Sequence, residues 1–422
     1  MLREDAARPV RRRNGRRDGR RRDRRTCRFP GHGTRSVGHD RSMANGQRDE
    51  ERARRLTAWG RADRKLSAPA ATETVGRQLE RLAADAAAYG LGNRTDLYGD
   101  GVVETLEDRV SGLVGTEAAA FFPTGTMAQQ VALRCWAGRT GNATVALHPL
   151  AHPERWERGA LPVLAGLRTV HPTTEPRLPL AEEIRALDEP YGTLMLELPL
   201  REAGFVLPGW DELAEAVAAA READAVVHLD GARLWECAPH LGRSLPEIAG
   251  LADSVYVSFY KSLGGLSGAA LAGPGSFVAE AKAWRHRYGG LLFQQWPVAV
   301  SALAGLDREL PRLPSYVAHA KTVAAALSEA FGAAGTPWFR VWPQVPHTHE
   351  FQVWLPYPAD TLNAAGVRQA EETGRVLFRT WDDGSGPPGV SMTEVTVTAP
   401  GLEWTAADVA AGVTDFLERV RD

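Results

Sequence analysis

Apolar positions in the first part of the chain recur at helical spacing. Leu79, Leu82, Ala86 and Tyr89 predict a helix over 75–89 that ends at Gly90, and Leu106, Val110, Leu113 and Val114 predict another over 104–114 that stops at Gly115. A sparser set, Leu56, Trp59 and Leu66, marks a charged helix over 49–66. From residue 118 the texture changes to short, continuously apolar runs at 118–122, 144–147, 193–198, 225–229, 255–260 and 268–272. Helical patterns lie between several of them, at 127–136, 210–221, 245–251 and 277–287. Strands apolar at every position and alternating with helices predict a mainly parallel sheet covered on both faces. Two long helical patterns, 298–310 and 316–331, lead into a different texture, with strands at 339–342, 350–355, 375–381 and 392–397 and helices at 362–372 and 405–420. The expected organisation is a tail over 1–48, an N-terminal helical segment over 49–97, a large α/β domain over 98–334 and a small α+β domain over 335–422.

Composition narrows the class. With 44% hydrophobic and 24% charged residues among 422, the chain reads as a soluble globular protein. Cys27, Cys135 and Cys237 are too widely spaced for a disulfide framework or a metal cluster, so no metal is expected and a reducing cytoplasm is the simplest setting. No apolar run approaches the ~20 residues of a membrane helix. The net charge of −2 hides an asymmetry, because residues 1–41 are dominated by Arg, Gly and Asp. Such a stretch cannot bury a core and is expected to be disordered. It lacks the apolar region of a signal peptide and has only Phe29 as an aromatic platform for bases. We read it as a tail without a role, or as sequence preceding a true start at Met43, in preference to a nucleic-acid-binding arm. The acidic remainder argues against a nucleic-acid partner.

The chemistry gathers at strand ends. The strand Val255-Tyr256-Val257-Ser258-Phe259-Tyr260 runs into Lys261 and the turn Gly264-Gly265. A lysine there loses solvent, so its pKa falls and its amine becomes nucleophilic, as a Schiff-base lysine requires. The preceding strand ends in Asp230, followed by Gly231-Ala232-Arg233. One βαβ crossover therefore brings a carboxylate and an amine to the same sheet edge, where ligands of such sheets sit. Pro123-Thr124-Gly125-Thr126 joins a strand to a helix start, an anion-binding geometry to which Thr124 and Thr126 add hydroxyls. His152 is placed to stack on a ring or act as a base, with Glu157 to orient it or accept a proton. Each feature alone has an ordinary reading: a capped helix start, a strand-end salt bridge, a surface histidine. Together and in this order they are what pyridoxal 5'-phosphate needs, namely a lysine, a carboxylate for the pyridine nitrogen and a phosphate cradle.

From Tyr98 to about Leu306 the chain resembles the fold-type-I pyridoxal-phosphate family of low-specificity threonine aldolases and aromatic amino acid β-eliminating lyases. The resemblance rests on Tyr98-Gly99-Asp100, Glu104, Leu106-Glu107, Pro123-Thr124-Gly125-Thr126-Met127-Ala128, His152 with Glu157, Glu197, His228-Leu229-Asp230-Gly231-Ala232-Arg233-Leu234, Asp253-Ser254-Val255, Lys261 with Leu263-Gly264, and Trp284-Arg285 before Gly289-Gly290. It implies an aspartate-aminotransferase-like fold and a homodimer or homotetramer with sites at a subunit interface. It also implies a lyase that splits a β-hydroxy amino acid into glycine and an aldehyde. Carried over, Lys261 bonds the cofactor, with Tyr260 beside it, and Asp230 pairs with the pyridine nitrogen. His152 stacks on the ring, Thr124, Gly125 and Thr126 hold phosphate, and Arg233 meets the ring oxygen or the substrate carboxylate. The family's early Arg-Ser-Asp-Thr strand is missing, with Lys65-Leu66-Ser67-Ala68 in its place. Leu198-Pro199-Leu200 replaces a polar Asn-Thr-His run, and Phe293 stands where the family has an arginine that reaches a neighbouring subunit. The last strand, Thr393-Glu394-Val395-Thr396-Val397, has an acid and no carboxylate-binding arginine, leaving Arg201 or Arg379 as candidates. These departures keep open β-elimination, another lyase reaction on a different amine, and a cofactor-binding protein without aldolase activity.

Overall fold

The computed structural model describes residues 37–67, 73–91, 95–384 and 386–422, with side chains from residue 49 onward. Ala53–Asp422 form one compact unit, and the described residues before Ala53 fall outside it. The arginine-rich stretch through residue 36 lies outside the described residues. The first described helix runs Val37–Arg61, starting earlier and ending earlier than the pattern over 49–66 predicts. Its start falls inside the stretch expected to be a tail, where Ala, Gln, Glu and Arg of residues 44–55 favour a helix.

Seven strands form the central sheet. They are β1 (Ala118–Phe122), β2 (Thr144–Ala146), β3 (Arg168–Val170), β4 (Thr193–Glu197), β5 (Val226–Gly231), β6 (Ser254–Ser258) and β7 (Ala269–Gly273). Their order is β1-β7-β6-β5-β4-β2-β3. The pairs from β6 to β3 are parallel, and β7 runs antiparallel to both of its neighbours. β4, β6 and β7 are buried at every position, which is why they read as unbroken apolar runs. β3 escapes that reading because it is an edge strand with Arg168 exposed and the other two residues half-buried. Parallel pairing aligns the carboxyl ends of β4, β5 and β6, so Glu197 faces Asp230 and Asp230 faces Tyr256 in register. Phe121 and Phe259 stack at 6.2 Å beneath this edge, each burial contributing roughly 1.5–3 kcal/mol.

The small sheet contains β8 (Arg340–Trp342), β9 (Glu350–Leu355) and β10 (Ser391–Thr396), antiparallel with β9 in the centre. Its two faces differ. Phe351, Val353, Leu355 and Val395 enter a core with Trp381, Trp404 and Phe416. On the other face Glu350, Gln352 and Trp354 lie opposite Thr396, Glu394 and Met392.

The expected boundary near residue 334 is less sharp than the change of texture implies. The helix Leu313–Ala333 gives Leu313 and Tyr316 to the large core and Ala320, Val323, Leu327 and Phe331 to the small one. The segment 49–97 also divides. Arg64–Lys65 pairs with Arg375–Val376, and Leu66 joins the small core, whereas Leu82, Ala86 and Tyr89 pack on the large one. Only the first two residues of the run 375–381 pair as a strand; Leu377, Phe378 and Trp381 still enter the core without a strand partner.

Candidate active site

A cavity of about 390 Å³ opens at the carboxyl edge of the large sheet. Thr124, Gly125, Thr126, His152, Glu157, Asp230, Tyr260 and Lys261 line it, so every catalytic or cofactor-binding candidate except Arg233 borders one space. Its anion-facing wall is the start of α1 (Gly125–Thr140), where the Thr124 hydroxyl accepts from the Met127 amide at 3.2 Å. The Gly125 and Thr126 amides have no intrahelical acceptor and remain available to a bound anion. Gly125 is required by space: a Cβ there would collide with the Tyr256 hydroxyl.

Asp230 is fully buried at the end of β5, its Oδ1 accepting from the Ala232 amide at 3.1 Å. Burial raises its pKa, opposed chiefly by the positive charges of Lys261 and His152. Its neighbour Glu197 is pushed up to about 7, first by burial and then by the charge of Asp230. Glu197 accepts from the backbone amides of His152 at 2.7 Å and Arg201 at 3.2 Å, fixing the loop that carries His152. Lys261 has no salt bridge or hydrogen bond among the described residues, and burial, then the charge of Arg233, hold its pKa down to about 8. Its amine is therefore substantially neutral under mildly alkaline conditions, the state a nucleophile needs.

His152 starts a five-residue helix whose C-cap is Glu157. The Glu157 carboxylate accepts from Gln130 Nε2 at 2.7 Å and faces His152 Nδ1 at 3.2 Å. This places the ring's inner nitrogen to donate to Glu157 and leaves Nε2 outside that contact. A second chain of bonds orients Gln129. Trp136 Nε1 donates to Ser254 Oγ at 2.7 Å, Ser254 meets His228 Nδ1 at 2.8 Å, and His228 Nε2 meets Gln129 Oε1 at 2.9 Å. Burial lowers the His228 pKa to about 3, so the ring is neutral and donates through Nε2. The amide nitrogen of Gln129 is thereby turned away from His228; it is buried, lacks a partner, and its residue lines the cavity.

Arg233 stands behind the cavity, in a close ion contact with Glu350 whose Nε–H is not aligned as a hydrogen bond. Glu350 belongs to a buried ion network. His349 Nε2 lies 2.6 Å from Glu236, its Nδ1 lies 2.6 Å from the Val397 carbonyl, and the Ser262 hydroxyl donates to Glu236 at 2.6 Å. Both ring nitrogens of His349 face acceptors. Burial opposes its charge, but Glu236 outweighs that and raises its pKa to about 9. Arg201 and Arg379 line a second cavity of about 580 Å³ and not the first. Sequence reasoning missed Gln129, Tyr256 and this network. Gln129, one turn beyond Gly125, was within reach of a helical-face argument; the network was not, since it joins segments more than a hundred positions apart.

An unpaired half-buried amine, a buried carboxylate, a glycine-lined helix start and an orphaned amide nitrogen around one cavity fit a phosphorylated aromatic cofactor. The comparisons agree. The family model described as beta-eliminating lyase matches residues 71–337. The low specificity L-threonine aldolase of Escherichia coli (strain K12) is 33% identical over 242 residues, 56% of this chain and 72% of its own length. A crystal structure from Exiguobacterium sp. 255-15, assigned as an aromatic amino acid beta-eliminating lyase/threonine aldolase, superposes with a TM-score of 0.78. It is 36% identical and covers 87% of this chain and 99% of its own. A structure of SPT with PLP, at 20% identity and a TM-score of 0.59, covers 81% of this chain and 83% of its own and shares the fold.

Proposed function

Because the chain belongs to the beta-eliminating lyase family and is a pyridoxal-phosphate-dependent lyase of the threonine-aldolase kind, we propose that it cleaves the Cα–Cβ bond of a β-hydroxy amino acid to give glycine and an aldehyde. The observation that carries this reading is the pairing of Lys261 with a His152–Glu157 dyad across one cavity. Bound there, the cofactor supplies an electron sink for the pair left on the substrate carbon when a bond to it breaks. Lys261 would hold the cofactor covalently, Asp230 would keep its ring nitrogen protonated, and Thr124, Gly125 and Thr126 would take its phosphate. Tyr260 borders the same cavity beside Lys261. His152, its Nδ1 held by Glu157, takes the β-hydroxyl proton at Nε2 as the C–C bond opens.

We read the chain as a homodimer or homotetramer. Tyr98 and Phe293 pack edge to face at 5.4 Å while both stay more than half exposed, as residues awaiting a second copy would. Two buried free cysteines, Cys135 and Cys237, fit a reducing cytoplasm, and no helix among the described residues is long and apolar enough to cross a membrane. Incubation of the cofactor-loaded protein with threonine, allo-threonine and phenylserine tests the reaction. Glycine and the matching aldehyde are expected; a 2-oxo acid would assign β-elimination instead, and no product from any of the three would overturn the aldol reading.

A further inference from the structure

Two arginines of the large domain are engaged by acids of the small sheet. On the polar face of the small sheet, Glu350 on β9 and Glu394 on β10 stand two residues apart in the strand ladder. Glu350 closes on Arg233, and Glu394 holds Arg201 at 2.7 Å while Glu202 takes another guanidinium nitrogen of Arg201 at 2.7 Å. Arg233 stands behind the wall of the cavity that holds Lys261, three residues after Asp230, and its charge acts on that amine. Glu350, Glu236, Glu394 and Glu197 all act on that guanidinium. An entering carboxylate therefore meets a cation already neutralised by Glu350 and gains little from it. Resting on the reading of Lys261 as the cofactor lysine, we propose that Glu350 is the specificity-determining residue of this site. By neutralising Arg233 it makes the site take primary amines without selecting for a carboxylate on the carbon that bears the amine, so that α-amino acids and their carboxamides are bound alike.

The test is equilibrium binding of glycine and glycinamide to the cofactor-loaded full chain, read from the cofactor's visible absorbance. Neither ligand has a Cα–Cβ bond to cleave, so turnover does not enter. The parent is expected to bind the two within about fivefold after correction for amine basicity. Glu350→Gln frees the guanidinium and is expected to raise the preference for glycine by about tenfold or more, the worth of one charge-assisted contact. Glu350→Asp, which keeps the charge, leaves the ratio near the parent's, and adding Arg233→Gln to Glu350→Gln removes the gain. A parent preference for glycine above about fivefold, or an unchanged ratio in Glu350→Gln, overturns the inference. Should Glu350→Gln fail to fold, Arg233→Met in the parent decides: the ratio stays within about twofold, and a larger loss of glycine preference overturns it. If neither amine perturbs the absorbance of any variant, the assignment of Lys261 fails instead, and the inference falls with it.

Discussion

His349 carries a charge in the interior, and that charge is visible as a pH-dependent stability. Raising a fully buried imidazole from 6.5 to about 9 corresponds to about 3 kcal/mol. The folded protein binds this proton more tightly than the unfolded chain, so the stabilisation is fully present below pH 6.5 and is lost as the pH rises to about 9. Lys261 acts in the opposite direction. Its pKa falls from 10.5 to about 8, so stability is gained as pH rises across that interval, and the parent's own profile mixes the two. His349→Gln alone would leave Glu236 buried without its counter-charge, so the comparison is the parent against Glu236→Gln/His349→Gln, whose difference isolates the ion pair because Lys261 is common to both. Urea unfolding of both proteins across a pH series is the assay. The stability gap is expected to shrink by about 3 kcal/mol between about pH 6 and pH 9.5. A gap that stays constant within about 1 kcal/mol over that range would refute the charged imidazole and, with it, the Glu236 ion pair.

Other changes probe the cavity and the small core. Gly125→Ala drives a methyl group into the Tyr256 hydroxyl and is expected to weaken cofactor binding at least tenfold, with partial recovery when Tyr256→Phe is added; equilibrium dialysis measures both. Glu157→Ala frees His152 Nδ1 and is expected to lower kcat about 100-fold with a smaller change in KM, in steady-state assays of aldehyde release. Phe351→Ala empties a fully buried position in the small sheet's core and should cost about 3–5 kcal/mol by denaturant unfolding.

Much of this was legible in the sequence, for physical reasons that differ by region. The buried strands of the large sheet announce themselves because parallel strands covered on both faces leave few polar positions, and their ends then place Asp230 and Lys261 at one edge. β9 was equally plain as residues 350–355, yet its polar face was not. Alternation separates Glu350 from Phe351, but nothing local says that Glu350 meets Arg233. The run 375–381 misled because its apolar residues are buried by the surrounding core and not by a strand partner beyond Val376. Lys65 and Leu66 were read with the helical segment before the large domain, whereas their contacts are with residues some three hundred positions later. The missing carboxylate-binding arginine of the last strand was visible as Glu394; that this acid is engaged by Arg201 required the structure.

The central claim is that Lys261 bonds the cofactor. The chain has four lysines, Lys65, Lys261, Lys282 and Lys321, so the claim is decided by borohydride reduction of the cofactor-loaded protein followed by peptide mapping. The account predicts the cofactor's mass on the peptide containing Lys261. Its appearance on any of the other three, or on none, would contradict it.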